Sequence, residues 1–104
     1  MARDRVDLHH ILEGLLPEDA QNVYFQAPED LIMSYPCIVY KRDYSATKHA
    51  DNKLYSHKLR YQVTVIDEDP DSTIPFKVAQ LPESMFSRFF VTHNLNHDIY
   101  IVYF

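Results

Sequence analysis

The chain is short and acidic, with 104 residues, 10 basic and 15 acidic side chains, and a formal charge of −5. Its length predicts one domain and excludes a two-domain enzyme. The charge has the wrong sign for gripping a phosphate backbone, and a single glycine argues against a glycine-rich nucleotide-binding loop. Hydrophobic residues make up 46% of the chain, which is enough apolar material for a core.

Neither a disulfide framework nor a membrane segment is predicted. Cys37 is the single cysteine, so it has no partner for an internal disulfide, as expected for a protein made in a reducing cytoplasm. Charges interrupt the apolar residues of the first 16 positions, and no apolar run approaches the ~18 residues that span a bilayer. We therefore expect no signal peptide and no membrane partner.

An amphipathic helix is predicted first, over about residues 4–16. Asp4 lies near its start, where the helix dipole favours negative charge, and Pro17 ends it because proline cannot continue the hydrogen-bond ladder. The apolar stripe of this helix has the spacing i, i+3, i+4, i+7, i+8 and consists of Leu8, Ile11, Leu12, Leu15 and Leu16.

Three strands and a long connection follow the helix. Aromatic and β-branched residues predict short strands over about 22–26 and 37–42, the first at a sheet edge. The polar range of about 43–57 has no apolar period and predicts a long loop or β-arm. Strict alternation over about 58–67 predicts a strand with one buried face.

The last third predicts a second helix and a hairpin. An acidic break at 67–72 precedes a short helix over about 73–81. Aromatic runs at 88–93 and 98–104 predict two strands joined by a turn at 94–97. The predicted order is therefore α-β-β-β-α-β-β, an α+β domain whose mainly antiparallel sheet carries two helices on one face.

The acidic break resembles the start of a calcium loop, because Asp67, Asp69 and Asp71 alternate. Such a loop needs glycine at its sixth position and glutamate at its twelfth, where this chain has Ser72 and Val78. A solvated connection between strand and helix is the favoured interpretation.

The sequence gives equally weak support for a metal site or a cysteine nucleophile. His93, His97 and Asp98 flank the predicted turn and could converge on a metal ion, but no fourth ligand has matching spacing, so surface imidazoles are favoured. Cys37 lies in an apolar run, where burial makes a thiol inert. We therefore expect no enzyme activity and assign no catalytic residue, metal ligand or cofactor.

Aromatic and basic side chains instead suggest an interaction surface. Basic residues cluster between positions 41 and 60, which indicates either a solvated β-arm or a contact surface. Aromatic residues near the carboxyl end are the type that anchors subunit interfaces. The residues predicted for such an interface are Tyr44, Lys48, Lys53, Tyr55, Tyr100, Tyr103 and Phe104.

Three segments together point to a known group of proteins. They are YPCIVY at 35–40, VTVID at 63–67 with DPDS at 69–72, and NLNHD at 94–98. The stretch 22–104 resembles small proteins encoded in the head-to-tail joining region of long-tailed bacteriophages and is similar to tail terminator or tail completion proteins.

The resemblance implies a structural protein of the virion neck, made in the host bacterial cytoplasm. It implies a homo-oligomeric ring, usually a hexamer, that caps the head-proximal end of the tail tube and docks onto the head connector. DNA would pass through the lumen without specific binding, since acidic walls repel phosphate. Alternatives are a head-completion or adaptor protein, a phage-encoded acidic module that inhibits a host protein, and, ranked last, a metal-dependent hydrolase.

Overall fold

A five-stranded mixed sheet with both helices on one face forms the fold. The computed structural model describes residues 4–43 and 59–104. The elements are α1 (Arg5–Leu15), β1 (Asn22–Phe25), β2 (Cys37–Arg42), β3 (Arg60–Asp67), α2 (Ile74–Ala79), β4 (Ser84–Thr92) and β5 (Leu95–Tyr103). Their order confirms the predicted α-β-β-β-α-β-β sequence and the α+β class. The predicted arm at about 43–57 lies almost entirely outside the described residues.

The strands are arranged in the order β1-β2-β3-β5-β4, so that β1 and β4 form the two edges. Only β1 and β2 are parallel; the other three neighbouring pairs are antiparallel. Directly paired residues project to the same face of a sheet. Tyr40 pairs with Val63, Val63 with Tyr100, and Tyr100 with Phe86, so these four side chains form one row across the helix-bearing face.

Helix α1 begins with a capping box. The Asp4 carboxylate accepts the Asp7 backbone N–H at 3.1 Å, and the Asp7 carboxylate accepts the Asp4 backbone N–H at 3.2 Å. These bonds satisfy donors that have no partner inside the helix. The predicted stripe faces the sheet, with Leu8 and Leu12 fully buried.

Helix α2 completes the cover of the same sheet face. Its start is supported by Ser72, whose Oγ accepts the Ile74 backbone N–H at 3.3 Å. Ile74 and Val78 are buried in one cluster with Leu8 and Leu12 of α1. The predicted placement of both helices on one face is confirmed. No helix within 4–43 or 59–104 is long and apolar enough to cross a membrane.

The hairpin turn lies one to three residues earlier than predicted. β4 continues to Thr92 and β5 begins at Leu95, so the turn is the pair His93-Asn94 and not 94–97. Both residues have positive φ, 52° and 61°. Two-residue hairpins favour this left-handed geometry because its twist matches that of the strands, and asparagine tolerates it well.

Candidate interaction site

The edge strand β4 exposes five large apolar side chains. All of its residues except Ser84 are exposed. The neighbouring strand β5 lies inside the sheet and is, by contrast, buried over Ile99–Val102. The large apolar residues exposed on β4 are Met85, Phe86, Phe89, Phe90 and Val91.

A β-bulge divides these side chains between the two faces of the sheet. The register shifts between Phe86 and Arg88, which interrupts the alternation of side chains along β4. Phe86 packs edge-on against Tyr100 on the helix-bearing face, with ring centroids 5.5 Å apart. Phe90 stacks on His97 on the opposite face, with centroids 4.5 Å apart and ring planes at 14°.

We call the face without helices the far face. Cys37 pairs with Ile66 there, and Ile99 and Ile101 of β5 project to the same side. All four residues are at most 9% exposed. Met85 and Phe90 project to this face from β4, because Met85 pairs with Ile101 and Phe90 with His97. On the far face, the exposed side chains of the β4 edge therefore adjoin buried apolar residues.

A cavity of about 280 Å³ lies on the helix-bearing face of the sheet, between the sheet and α2. We call it the acidic cavity and define it by Asp67, Asp69, Asp98, Phe76, Phe89 and Tyr100. Asp67 and Asp98 reach it from neighbouring strands, since Asp67 pairs with Asn96 and Val65 with Asp98 in the β3–β5 ladder. Phe89 pairs with Asp98 and brings β4 to the cavity.

Two carboxylates of the acidic cavity, those of Asp67 and Asp98, are partly withdrawn from water. Asp67 is 9% exposed, and one of its oxygens accepts the Asp69 backbone N–H at 2.9 Å. Asp69 accepts the Asp71 backbone N–H in the same way at 2.8 Å. Burial raises the pKa of Asp98, and the nearby His97 partly opposes that shift.

The aspartates at 67–71 thus form successive side-chain-to-backbone turns. They lie in the connection between β3 and α2, which is exposed over residues 68–71 and begins at the buried Asp67. Within 4–43 and 59–104, no three His, Cys, Asp or Glu side chains are grouped closely enough to hold a metal ion.

The other predicted chemical groups do not converge. His97 and Asp98 are consecutive residues of β5 and project to opposite faces of the sheet, so they do not share a site. Cys37 is fully buried, and its pKa is raised to about 12, chiefly by burial and further by Asp67. A thiol with so high a pKa is not a nucleophile at neutral pH.

The structure describes three of the seven residues predicted for the interface, all at the carboxyl end. Tyr44, Lys48, Lys53 and Tyr55 lie outside the described residues. Tyr100 is 6% exposed and belongs to the hydrophobic core, which leaves little of its surface for a partner.

Tyr103 and Phe104 are half-buried, and Phe104 packs against the core cluster. Sequence reasoning missed the exposed β4 residues. The run FSRFFV at 86–91 carried the signal, but an aromatic strand at an edge and one at a sheet centre have similar compositions.

No protein-family model matches this chain, and neither a curated protein nor a solved structure matches it.

Proposed function

We propose that this chain is a non-catalytic structural subunit of the neck of a long-tailed bacteriophage. Copies of the chain form a ring, a hexamer as the resemblance implies, that caps the head-proximal end of the tail tube. The single observation that carries the assembly role is the apolar exposure along β4, and the location in a phage neck comes from the sequence resemblance.

An exposed apolar edge strand favours pairing with another chain. Edges are commonly protected by proline, by several charges or by a short strand length. β4 has nine residues and no proline, and its single charged residue is Arg88. Pairing with a further strand would supply main-chain hydrogen bonds to this edge and bury aromatic side chains that anchor interfaces.

The two edges of the sheet also differ from each other, which supports a ring over a simple dimer. β1 at one edge has four half-buried residues, whereas β4 at the other has nine residues. Contact between unlike edges of successive copies is head-to-tail, and such contacts close into rings when the rotation allows it. We propose that β4 of one copy lies against the β1 edge of the next.

The proposed partners of the ring are the tail tube protein on one side and the head connector or adaptor on the other. The net charge of −5 supports a lumen through which DNA passes without being held. A head-completion or adaptor protein of the same neck would also assemble through the β4 edge. Binding assays with purified tail tube protein and with purified connector protein distinguish these roles.

The test is self-association of purified wild-type chain and β4 variants, measured by size-exclusion chromatography with light scattering. Met85→Lys and Phe90→Lys, separately and together, place charge on the edge strand. Val6→Lys is the control, because Val6 is 47% exposed on α1 and belongs to neither edge strand. We expect the wild type and Val6→Lys to form oligomers and the double β4 variant to be monomeric, with unchanged circular dichroism.

The proposal fails if the wild-type chain stays monomeric at high concentration, both alone and mixed with tube or connector protein. It also fails if the double β4 variant assembles as the wild type does. A stable monomer would instead favour an acidic module that inhibits a host protein, a role supported by the aspartates of the 67–71 connection.

A further inference from the structure

The loop that joins β1 to β2, residues 26–36, carries an exposed apolar pair beside two acidic residues. Leu31 is 39% exposed and Ile32 is 93% exposed. The Leu31 backbone N–H donates to the Pro28 carbonyl at 3.1 Å, which closes a turn in front of Ile32. Glu29 and Asp30 lie in that turn and are exposed as well. We call residues 29–32 the loop tip; it combines aliphatic side chains with negative charge.

Two hydrogen bonds hold the returning part of this loop to the far face at the β1 edge. The Ser34 backbone N–H donates to the Tyr24 hydroxyl at 3.3 Å, and Nδ2 of Asn22 donates to the Pro36 carbonyl at 3.3 Å. Asn22 projects to the far face because it pairs with Cys37, and Tyr24 projects there because it lies two residues further along β1. The loop is therefore anchored on the far face, at the edge opposite β4.

The far-face side of β4 has the complementary composition. Met85 is 58% exposed and Phe90 is 38% exposed, and the exposed Arg88 projects to the same face because it pairs with Ile99. The guanidinium carbon of Arg88 lies 5.6 Å from the centroid of the Phe90 ring. Within 4–43 and 59–104, Arg88 forms no ion pair with a carboxylate. This side of β4 therefore presents exposed apolar side chains around one positive charge.

We propose that the loop tip of one copy docks on the far-face side of β4 of the next copy, with Ile32 between Met85 and Phe90. The acidic side chains of the tip then face Arg88. The meeting of these two edges rests on the proposed function, whereas the chemistry of the contact follows from the two surfaces. Because the contact joins two chains, it does not contribute to the unfolding free energy of a dilute single chain.

The strand directions are compatible with this contact. β1 runs parallel to β2, whereas β4 runs opposite to β2, since three successive antiparallel pairings relate them. β4 of one copy and β1 of the next are therefore antiparallel when the copies face the same way. Head-to-tail copies around one axis keep their far faces on the same side of a continuing sheet. The loop tip, held at the far face of β1, then lies beside the far-face side of β4.

Charge favours this pairing of unlike edges over contact between like edges. Residues 6–40, which include β1 and the loop, contain no lysine or arginine, and Arg88 is the single charged residue of β4. Two β4 edges in contact would bring two copies of Arg88 together, and two loop tips would bring their carboxylates together. Like charges at a contact disfavour it, whereas opposite charges steer the correct partner. The charges therefore select the head-to-tail arrangement.

The first test is charge reversal with rescue, measured by size-exclusion chromatography with light scattering. We expect Arg88→Glu, and separately Glu29→Lys with Asp30→Lys, to weaken association at least about ten-fold, because like charges then meet. A chain with all three substitutions has opposite charges again and should associate within about three-fold of the wild type. Val6→Lys is the control. Wild-type association of Arg88→Glu, or no rescue in the triple variant, would overturn the docking.

Disulfide trapping reads the same contact without requiring a stable ring. Ile32→Cys chains are mixed with Met85→Cys chains under mild oxidation, and mass spectrometry identifies the mixed dimer. Cys37 does not interfere, because it is fully buried and its pKa is about 12. We expect this mixed disulfide to form at least about ten-fold faster than the disulfide between Val6→Cys and Met85→Cys chains. Equal rates would contradict the docking of the loop tip.

The docking and the proposed ring fail on different observations. If Met85→Lys with Phe90→Lys abolishes assembly but Arg88→Glu and Ile32→Ser assemble as the wild type does, the β4 edge is used and the loop contact is wrong. If wild-type chains never form oligomers but Ile32→Cys still cross-links selectively to Met85→Cys, the ring fails and the contact stands. Without oligomers and without selective cross-linking, both fail.

Discussion

The hydroxyl of Tyr40 lies 2.8 Å from Nδ1 of His9 and joins strand β2 to helix α1 by a hydrogen bond. Tyr40 is fully buried, and Nη1 of Arg5 donates a second hydrogen bond to the same hydroxyl at 3.0 Å. Burial raises the pKa of Tyr40, and Arg5 opposes that shift. The neutral hydroxyl therefore serves as the polar link between the helix and the core.

Removing that hydroxyl should destabilise the fold. We expect Tyr40→Phe to lower the free energy of unfolding by about 1 kcal/mol, because His9 and Arg5 both lose a partner. Urea denaturation measures the change. Tyr103→Phe is the matched control, since Tyr103 is only half-buried and should change stability by less than about 0.5 kcal/mol. Equal losses of unfolding free energy in the two variants would show that the hydrogen bonds between β2 and α1 do not contribute to stability.

Asp98 should make the fold less stable at neutral pH than at acidic pH. Its folded pKa is raised above the ordinary 3.8, so the folded state binds a proton more readily than the unfolded chain does. The contribution of Asp98 to the free energy of unfolding therefore falls as pH rises through the window from 3.8 to its folded pKa.

We accordingly expect Asp98→Asn to raise stability near pH ~7 by less than about 1 kcal/mol and to have no such effect near pH ~3. The comparison is made by urea denaturation at both pH values, with Asp30→Asn as the control. A loss of stability at neutral pH would mean that the carboxylate makes favourable contacts in the folded chain. A gain would show that the charged form of Asp98 lowers the stability of the folded chain.

Cys37 should resist modification as long as the chain is folded. Its side chain is fully buried and its pKa is about 12, so thiolate is scarce and reagents have no access. We expect a disulfide reagent at pH ~8 to react with the folded chain at least about a hundred-fold more slowly than with the chain in guanidinium chloride. Similar rates in both solvents would contradict the burial of β2.

Two isoleucines provide a matched test of the core. Ile38 is fully buried against the helices, whereas Ile32 is 93% exposed in the loop that precedes β2. We expect Ile38→Ala to cost about 2–5 kcal/mol in the free energy of unfolding, because it removes packed apolar volume. Ile32→Ala should stay within about 0.5 kcal/mol of the wild type. A comparable loss at Ile32 would place that side chain in an unrecognised contact.

Local patterns were sufficient for the type and order of the elements and for the buried faces of α1, α2 and β3, although β4 begins at Ser84, four residues before the predicted start. The leucine spacing of α1, its end before Pro17, and the alternation of Tyr61 and Val63 in β3 act between near neighbours, so the printed sequence displays them. The turn at His93-Asn94 was misplaced because Asn94 and Asn96 both satisfy the same local preference. Only cross-strand pairing selects one of them.

Tertiary structure alone decided which residues meet and which strand is the edge. The insertion of β5 between β3 and β4 buries Tyr100, a predicted interface residue, and leaves Phe89 and Phe90 at the edge. It also brings Asp67 to the same cavity as Asp98, a residue 31 positions later in the chain. Local composition does not encode such contacts, because side chains distant in sequence meet only through strand order and register.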